Sequence, residues 1–294
     1  MLDVARLRVL AAVAKHGSVT AAARALHYSQ PSVSHHLARL EAETGSRLVQ
    51  RAGRGIRLTE AGRVLAARAE EILGRLDAAE DELAAYNGLR AGRVRLAAFP
   101  SALGTFVPLA AARFAAAHPG IDLRFREAEP PEGVRLLRSG EVEAALLFTH
   151  APAPELDGLR CEVLLEEPLY LVAPPSWAGD RLTDHKDRPW IGGCERCRGQ
   201  LLRAAEAEGF APDIRYETDD YVAVQRLVAA GLGVTTLPGL ALEAHRDPQV
   251  RTAMLPGTTR QVLLAVHGEP PDPPATAALL SHLRDSAVTT SSVR

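Results

Sequence analysis

Gln30, Ser32, Ser34, His35, His36 and Arg39 place hydrogen-bonding side chains within one short stretch of the chain. A solvated helix face ordinarily carries long Glu and Lys side chains. A row of short donors and acceptors suits contact with another polar surface, such as base edges and phosphates. Cys194 and Cys197 form a C-x-x-C pair, with Cys161 remote in sequence. That pair permits a disulfide or two ligands to Zn²⁺, and no second pair supplies the other two. A third set is Ser101, Ala102, Thr149, Gly193, Cys194, Thr218 and Asp219, small or polar residues where apolar runs give way to helix starts. Hydroxyls and free backbone N–H groups at such junctions make corners suited to a small polar ligand. The sequence has no G-x-S-x-G, H-E-x-x-H, P-loop or dinucleotide fingerprint, and its histidines lack metal spacing. No catalytic residue, metal ligand or cofactor is therefore assigned, and the chain reads as a non-enzyme.

The elements that position the first set lie in a basic head. Residues 1–59 hold nine basic and three acidic side chains, a net of +6, so the remainder must carry about −8 against the whole-chain −2. Leu7, Leu10, Val13 and Ala14 recur at helical spacing up to Gly17. Ser18 is the expected cap of a second helix, Val19 to Leu26. "HYS" then turns the chain, and Gln30-Pro31 opens a third helix whose buried stripe is Val33, Leu37 and Leu40. Arg51, Arg54 and Arg57 around Gly53 and Gly55 read as a hairpin that lays arginines along phosphates. This pattern predicts a helix-turn-helix with its second helix in the major groove of double-stranded DNA.

Residues Gly17-Ser18, Thr20, Ala22-Ala23, Leu26, Ser29-Gln30, Val33-Ser34, Leu40-Glu41, Gly45, Leu48, Arg51, Leu58-Thr59 and Ala61-Gly62 together resemble the N-terminal domain of the LysR-type transcriptional regulators. The resemblance implies base reading by Gln30, Pro31, Ser34 and His35, with phosphate contacts from Thr20, Ser32, Arg51 and Arg54. His36 and Arg39 complete the expected DNA-facing set. His35 and His36 stand where the family often has Arg or Gln, so the bidentate Arg–guanine contact is absent there.

From Glu60, apolar residues Leu65, Ala69, Ile72, Leu76, Ala79, Leu83 and Tyr86 alternate spacings of four and three, a heptad seam. The expected linker helix, within 60–91, is ended by Gly88 to Gly92, and the resemblance implies that such helices pair to make a homodimer or homotetramer. Residues 92–284 read as two α/β lobes, lobe I from 92–160 with 267–284 and lobe II from 161–266. Chain crossings are expected near 159–164 and 262–267, and 285–294 are expected to be a flexible tail. The runs "HPGI", "L-SGEVEAAL" and "LVAAGLGVTTLP" resemble the effector-binding domain of the same family, which is like periplasmic solute-binding proteins. The fold expected is thus α+β and multidomain: a winged helix-turn-helix, a long linker helix and a two-lobed α/β domain. The function expected is a DNA-binding regulator responsive to a small-molecule effector, with redox or metal response through Cys194 and Cys197 as the alternative. No apolar run approaches the ~20 residues of a membrane span, and "MLDVARLRVLAAVAKHG" carries charges within its apolar stretch. No membrane partner and a cytoplasmic location are expected.

Overall fold

In a computed structural model of the protein, residues 2–52, 55–86, 92–150, 156 and 158–291 are described. The chain divides into two compact units, Met1–Gly92 with Arg135–Val142, and Arg93–Val134 with Glu143–Arg294.

In the first unit, α1 (Val4–His16) starts where the Asp3 carboxylate accepts the Arg6 N–H, and stops at Gly17 with φ of 67°. α2 (Val19–Ala25) starts where Ser18 Oγ accepts the Ala21 N–H. His27, with φ of 55°, turns the chain into α3 (Gln30–Thr44), where Ser29 Oγ accepts the Ser32 N–H. Each boundary is thus set by a local cap. Leu7, Leu10, Val13, Ala22, Ala23, Val33, Leu37 and Leu40 bury together beneath the three helices.

β1 (Val49–Ala52) and β2 (Gly55–Leu58) pair antiparallel, with Arg51 opposite Ile56. Two side chains anchor this wing. Glu41 Oε1 accepts the Leu48 and Val49 N–H groups at 2.8 and 3.1 Å. Thr59 Oγ1 donates to the Arg47 carbonyl and accepts from the Gly62 N–H. A Cβ at Gly62 would stand 2.0 Å from the Leu48 carbonyl oxygen, so no larger residue fits that approach.

α4 (Glu60–Tyr86) has 27 residues and so runs about 40 Å. Its seam is divided. Ala69 is buried in the core of this unit and Leu65 packs against it. Ile72, Leu76 and Leu83 remain 39%, 41% and 64% exposed, so only this later stretch is left for a partner. Residues 87–91, where the helix end was expected, lie outside the described residues.

After α4 come β3 (Arg93–Ala98), α5 (Pro100–Leu103), α6 (Phe106–Ala117), β4 (Asp122–Glu127), α7 (Pro130–Arg138), whose residues from Arg135 fall to the first unit, and β5 (Ala144–Thr149). β6 (Leu159–Ala173), β7 (Pro189–Gly192), α8 (Glu195–Ala207), β8 (Asp213–Glu217), α9 (Tyr221–Ala229), β9 (Thr235–Pro238) and α10 (Gly239–Ala244) follow. β10 (Arg251–His267) and α11 (Pro274–Ser291) close the chain. The main sheet has the order β4-β3-β5-β10-β6-β9, and β7 pairs β8 separately. β3 is parallel to β4 and β5, as strands joined by helices must be, but β10 is antiparallel to both β5 and β6.

Two expectations are corrected. Leu165 and Val262 belong to the lobe I core, whereas Leu169, Leu171 and Leu255 belong to lobe II. Residues 261–266 pair with β5, so the lobes meet near 166–168 and 255–261, inside the two long strands. They do not meet near 159–164 and 262–267. The tail is also shorter than expected, because α11 continues to Ser291 with Ser286 and Ala287 fully buried. Ala287 packs in the lobe I core, which extends the helix beyond Arg284.

Candidate functional site

On the first unit, Thr20, Gln30, Pro31, Ser34, His35, Arg39 and Arg51 are exposed. Gln30 and Ser34, and likewise His35 and Arg39, are four residues apart on α3, which aligns each pair along one side of the helix. Ser32 and His36 are half-buried. The His36 ring stacks on Tyr28 with centroids 5.7 Å apart and planes inclined by 22°. It therefore buttresses the turn as well as bordering the exposed row. Arg54 lies outside the described residues. The outer face thus offers hydrogen-bonding groups on α3 and a guanidinium on the wing.

On the second unit, a small cavity of about 60 Å³ lies between the lobes, in the kind of concave, largely apolar setting where small molecules bind. Ser101, Gly193, Cys194, Thr218 and Asp219 are brought together on its wall. Two expected members are not. Ala102 is fully buried in the lobe I core, because it sits on the inner side of α5. Thr149 lines a separate depression with His150, Arg196, Arg198 and Arg203.

The caps also differ from expectation. Ser101 lies inside the first turn of α5 instead of capping it. Asp220, not Asp219, caps α9 by accepting the Val222 and Ala223 N–H groups. Thr218 Oγ1 accepts the Asp220 N–H and so fixes the approach to that helix.

The electrostatic centre of the pocket is Arg260, which sequence reasoning missed. Its Nε donates to Glu167 Oε1 at 2.6 Å and its Nη2 to Ser101 Oγ at 2.8 Å. Glu167 Oε2 accepts the Leu240 N–H at 2.6 Å. The guanidinium carbon lies 4.5 Å from the Phe148 ring centroid and 5.0 Å from that of Phe99, a cation–π contact with two rings that meet edge to face at 5.1 Å. Phe99, Phe148, Val224 and Leu237 supply apolar wall.

The acidic and thiol groups of the pocket are perturbed. Burial raises the Glu129 carboxyl above the usual range, opposed by a hydrogen bond with Cys194. Cys194 Sγ donates to Cys197 Sγ across 3.1 Å. That hydrogen bond, with His150 and Arg260 nearby, holds the Cys197 thiol well below its ordinary value, while Cys194 is raised. Among the described residues, no group of three or more His, Cys, Asp or Glu side chains is arranged to hold a metal ion. Nor is any helix among them long and apolar enough to cross a membrane.

Comparison with known proteins places both units. Residues 4–63 match the model described as "Bacterial regulatory helix-turn-helix protein, lysR family", and residues 87–288 match "LysR substrate binding domain". A probable HTH-type transcriptional regulator, LrrA of Synechococcus elongatus, is 30% identical over 97% of this chain and 98% of its own. The RuBisCO operon transcriptional regulator of Allochromatium vinosum is 35% identical, over 61% of this chain and 59% of its own length. The crystal structure of CbnR, a LysR family transcriptional regulator, superimposes with a TM-score of 0.67 at 24% identity, covering 97% of this chain and 99% of that one.

Proposed function

The chain belongs to the LysR family of bacterial regulatory helix-turn-helix proteins, and on that premise we propose that a small organic effector in the inter-lobe pocket sets its affinity for operator DNA. The observation that carries this reading is the cavity itself, walled by Ser101 and Phe148 of lobe I and by Thr218, Asp219 and Thr236 of lobe II. A ligand touching both walls binds one lobe orientation better than another, and only such a difference can shift the equilibrium. The effector we infer is mostly apolar, to match Phe99, Phe148 and Leu237, with one polar or weakly anionic end facing Ser101 and Arg260. Asp219 and Glu129 disfavour a multiply charged anion. The protein acts in the cytoplasm as a homodimer or homotetramer joined through the exposed stretch of α4, and carries out no catalysis.

The test is a thermal-shift screen of small organic acids and phenols, followed by operator footprints with and without each hit. Thr236, half-buried on the wall, is replaced by Phe to fill the cavity while leaving Arg260 paired. The Thr236→Phe protein should bind operator normally and lose at least about tenfold in effector affinity, a loss of ~1.4 kcal/mol. Full effector response in this variant sinks the assignment of the pocket.

For the head, we infer that His35 reads a base edge and Arg51 holds a phosphate. His35→Ala should relax preference at one base position by about 1–3 kcal/mol. Arg51→Ala should weaken all sequences alike and lower the salt slope by about one unit. Equal weakening of operator and random DNA by His35→Ala contradicts the base-reading role.

A further inference from the structure

The outer face of α3 carries two ionisable rings, His35 and His36. At about 100° per residue, His35 stands almost opposite the buried stripe Val33, Leu37 and Leu40, so it occupies the outermost ridge of the helix. His36 stands at the edge of that face, stacked on Tyr28 with centroids 5.7 Å apart. The two imidazoles lie 6.3 Å apart, inclined by 66°.

Among the described residues, no carboxylate is paired with either ring. Residues 1–59 contain three acids, and each is occupied elsewhere. Asp3 accepts the Arg6 N–H at the start of α1, and Glu43 pairs with the Arg6 guanidinium. Glu41 accepts the Leu48 and Val49 N–H groups, with Arg47 beside it. The next acid along the chain, Glu60, pairs with Arg63. The charges that neighbouring elements bring are positive: Arg8 and Lys15 of α1, Arg24 of α2, Arg39 of α3, and Arg51 and Arg57 of the wing. His16, His27 and Tyr28 are the other titratable groups of these elements and the turn. The state of the His35 ring is thus left to pH and to the surface it meets. Imidazole changes charge between about pH 5 and 8, and DNA supplies the anions that favour its charged form.

We propose that His35 is a proton-dependent base reader, so that pH changes which operators the protein prefers. This rests on the base-reading role proposed above. A neutral imidazole has one N–H donor and one bare nitrogen acceptor. It can accept from the amino group of cytosine or adenine, or donate to a base acceptor. The imidazolium has two donors and no acceptor. It can no longer accept from cytosine or adenine, and its charge favours guanine, whose O6 and N7 are both acceptors. Each head takes one proton from solvent, and none passes to the base. A fall in pH therefore re-ranks sequences at one base position instead of strengthening all of them alike. The arginines of the head cannot do this, because guanidinium stays charged and its phosphate contacts carry no sequence information.

The full-length protein is used to select duplexes from a random-sequence pool at about pH 8 and about pH 5.5, which bracket the imidazole range. Ionic strength is held equal, and the bound fractions are sequenced. His35→Ala identifies the position that His35 reads, as the one whose preference flattens. At that position the wild-type ratio of guanine to cytosine should rise by about fivefold or more at the lower pH, the low end of what a base contact discriminates. Other positions should keep their order. His35→Gln, which donates and accepts at either pH, should remove the change, and His35→Arg should prefer guanine at both. An identical wild-type preference at both pH values, a gain in affinity shared by all sequences without re-ranking, or a pH effect that survives in His35→Gln overturns the proposal. If His35→Ala flattens no position, the base-reading role itself fails, and the proton effect falls with it.

Discussion

Replacing Arg260 by methionine is expected to lower the stability of the protein by about 3–5 kcal/mol, the cost of stranding one member of a buried ion pair. The side chains of Arg260 and Glu167 are 2% and 0% exposed, so water cannot reach the abandoned carboxylate. Glu167 would keep only the Leu240 N–H, and Ser101 Oγ would lose its charged donor. The packing loss is small by comparison, because methionine retains contact with Phe99 and Phe148. Urea unfolding of the purified protein measures the effect. The double variant Arg260→Met with Glu167→Gln should recover a large part of the loss, since both charges are then gone. A single variant within about 1 kcal/mol of wild type would mean the pair is solvated, in the range of exposed ion pairs.

A comparable effect is expected from Ile72→Asp. On an isolated chain this change should be almost silent, because Ile72 is 39% exposed and surface substitutions stay within about 0.5 kcal/mol. Against a partner helix, the new carboxylate would be buried in an apolar seam beside Leu76 at a cost of several kcal/mol. Sedimentation should therefore show dissociation while the thermal melt of the second unit changes little. Operator binding should fall with it, since two half-sites are then no longer held by one particle. An Ile72→Asp protein that remains associated and binds operator at wild-type affinity removes the seam from the interface.

The head was readable because its determinants are local. Ser18, Ser29, Gly17 and Pro31 act within four residues of their own positions, and Val33, Leu37 and Leu40 repeat at helical period. Even the wing anchor, Glu41 accepting from Leu48 and Val49, spans only seven or eight residues. The pocket was half readable. Ser101, Gly193, Cys194, Thr218 and Asp219 are junction residues, and an α/β lobe sends its junctions to one edge. Arg260 escaped because its partners are 93 and 159 residues away, distances at which periodicity carries no information. Nor does the local sequence mark the pair, since Glu167 follows Glu166 and Arg260 stands between Thr259 and Gln261, polar neighbours that read as an exposed strand. The seam of α4 was over-read at its start, since Leu65 and Ala69 have the same heptad spacing whether they meet a partner or their own core. The lobe boundary was misplaced for a related reason: a strand crossing from one core to another shows no break in its alternation.

That uninterrupted crossing has a mechanical consequence. β6 and β10 have 15 and 17 residues, so each strand runs roughly 50 Å through both lobes. Lobes hung on loops would swing on flaccid pivots. These are joined by a hydrogen-bonded ribbon, which resists stretching and in-plane shear but yields to twist. The ladder is interrupted between Met254 and Thr259, which sets where the twist concentrates. The Glu167–Arg260 clasp lies next to that interruption, on neighbouring strands at Glu167 and Arg260. The ribbon thus sets a soft segment beside a stiff rivet, so that the path of least resistance for a load in the pocket is twist about the axis of the strands.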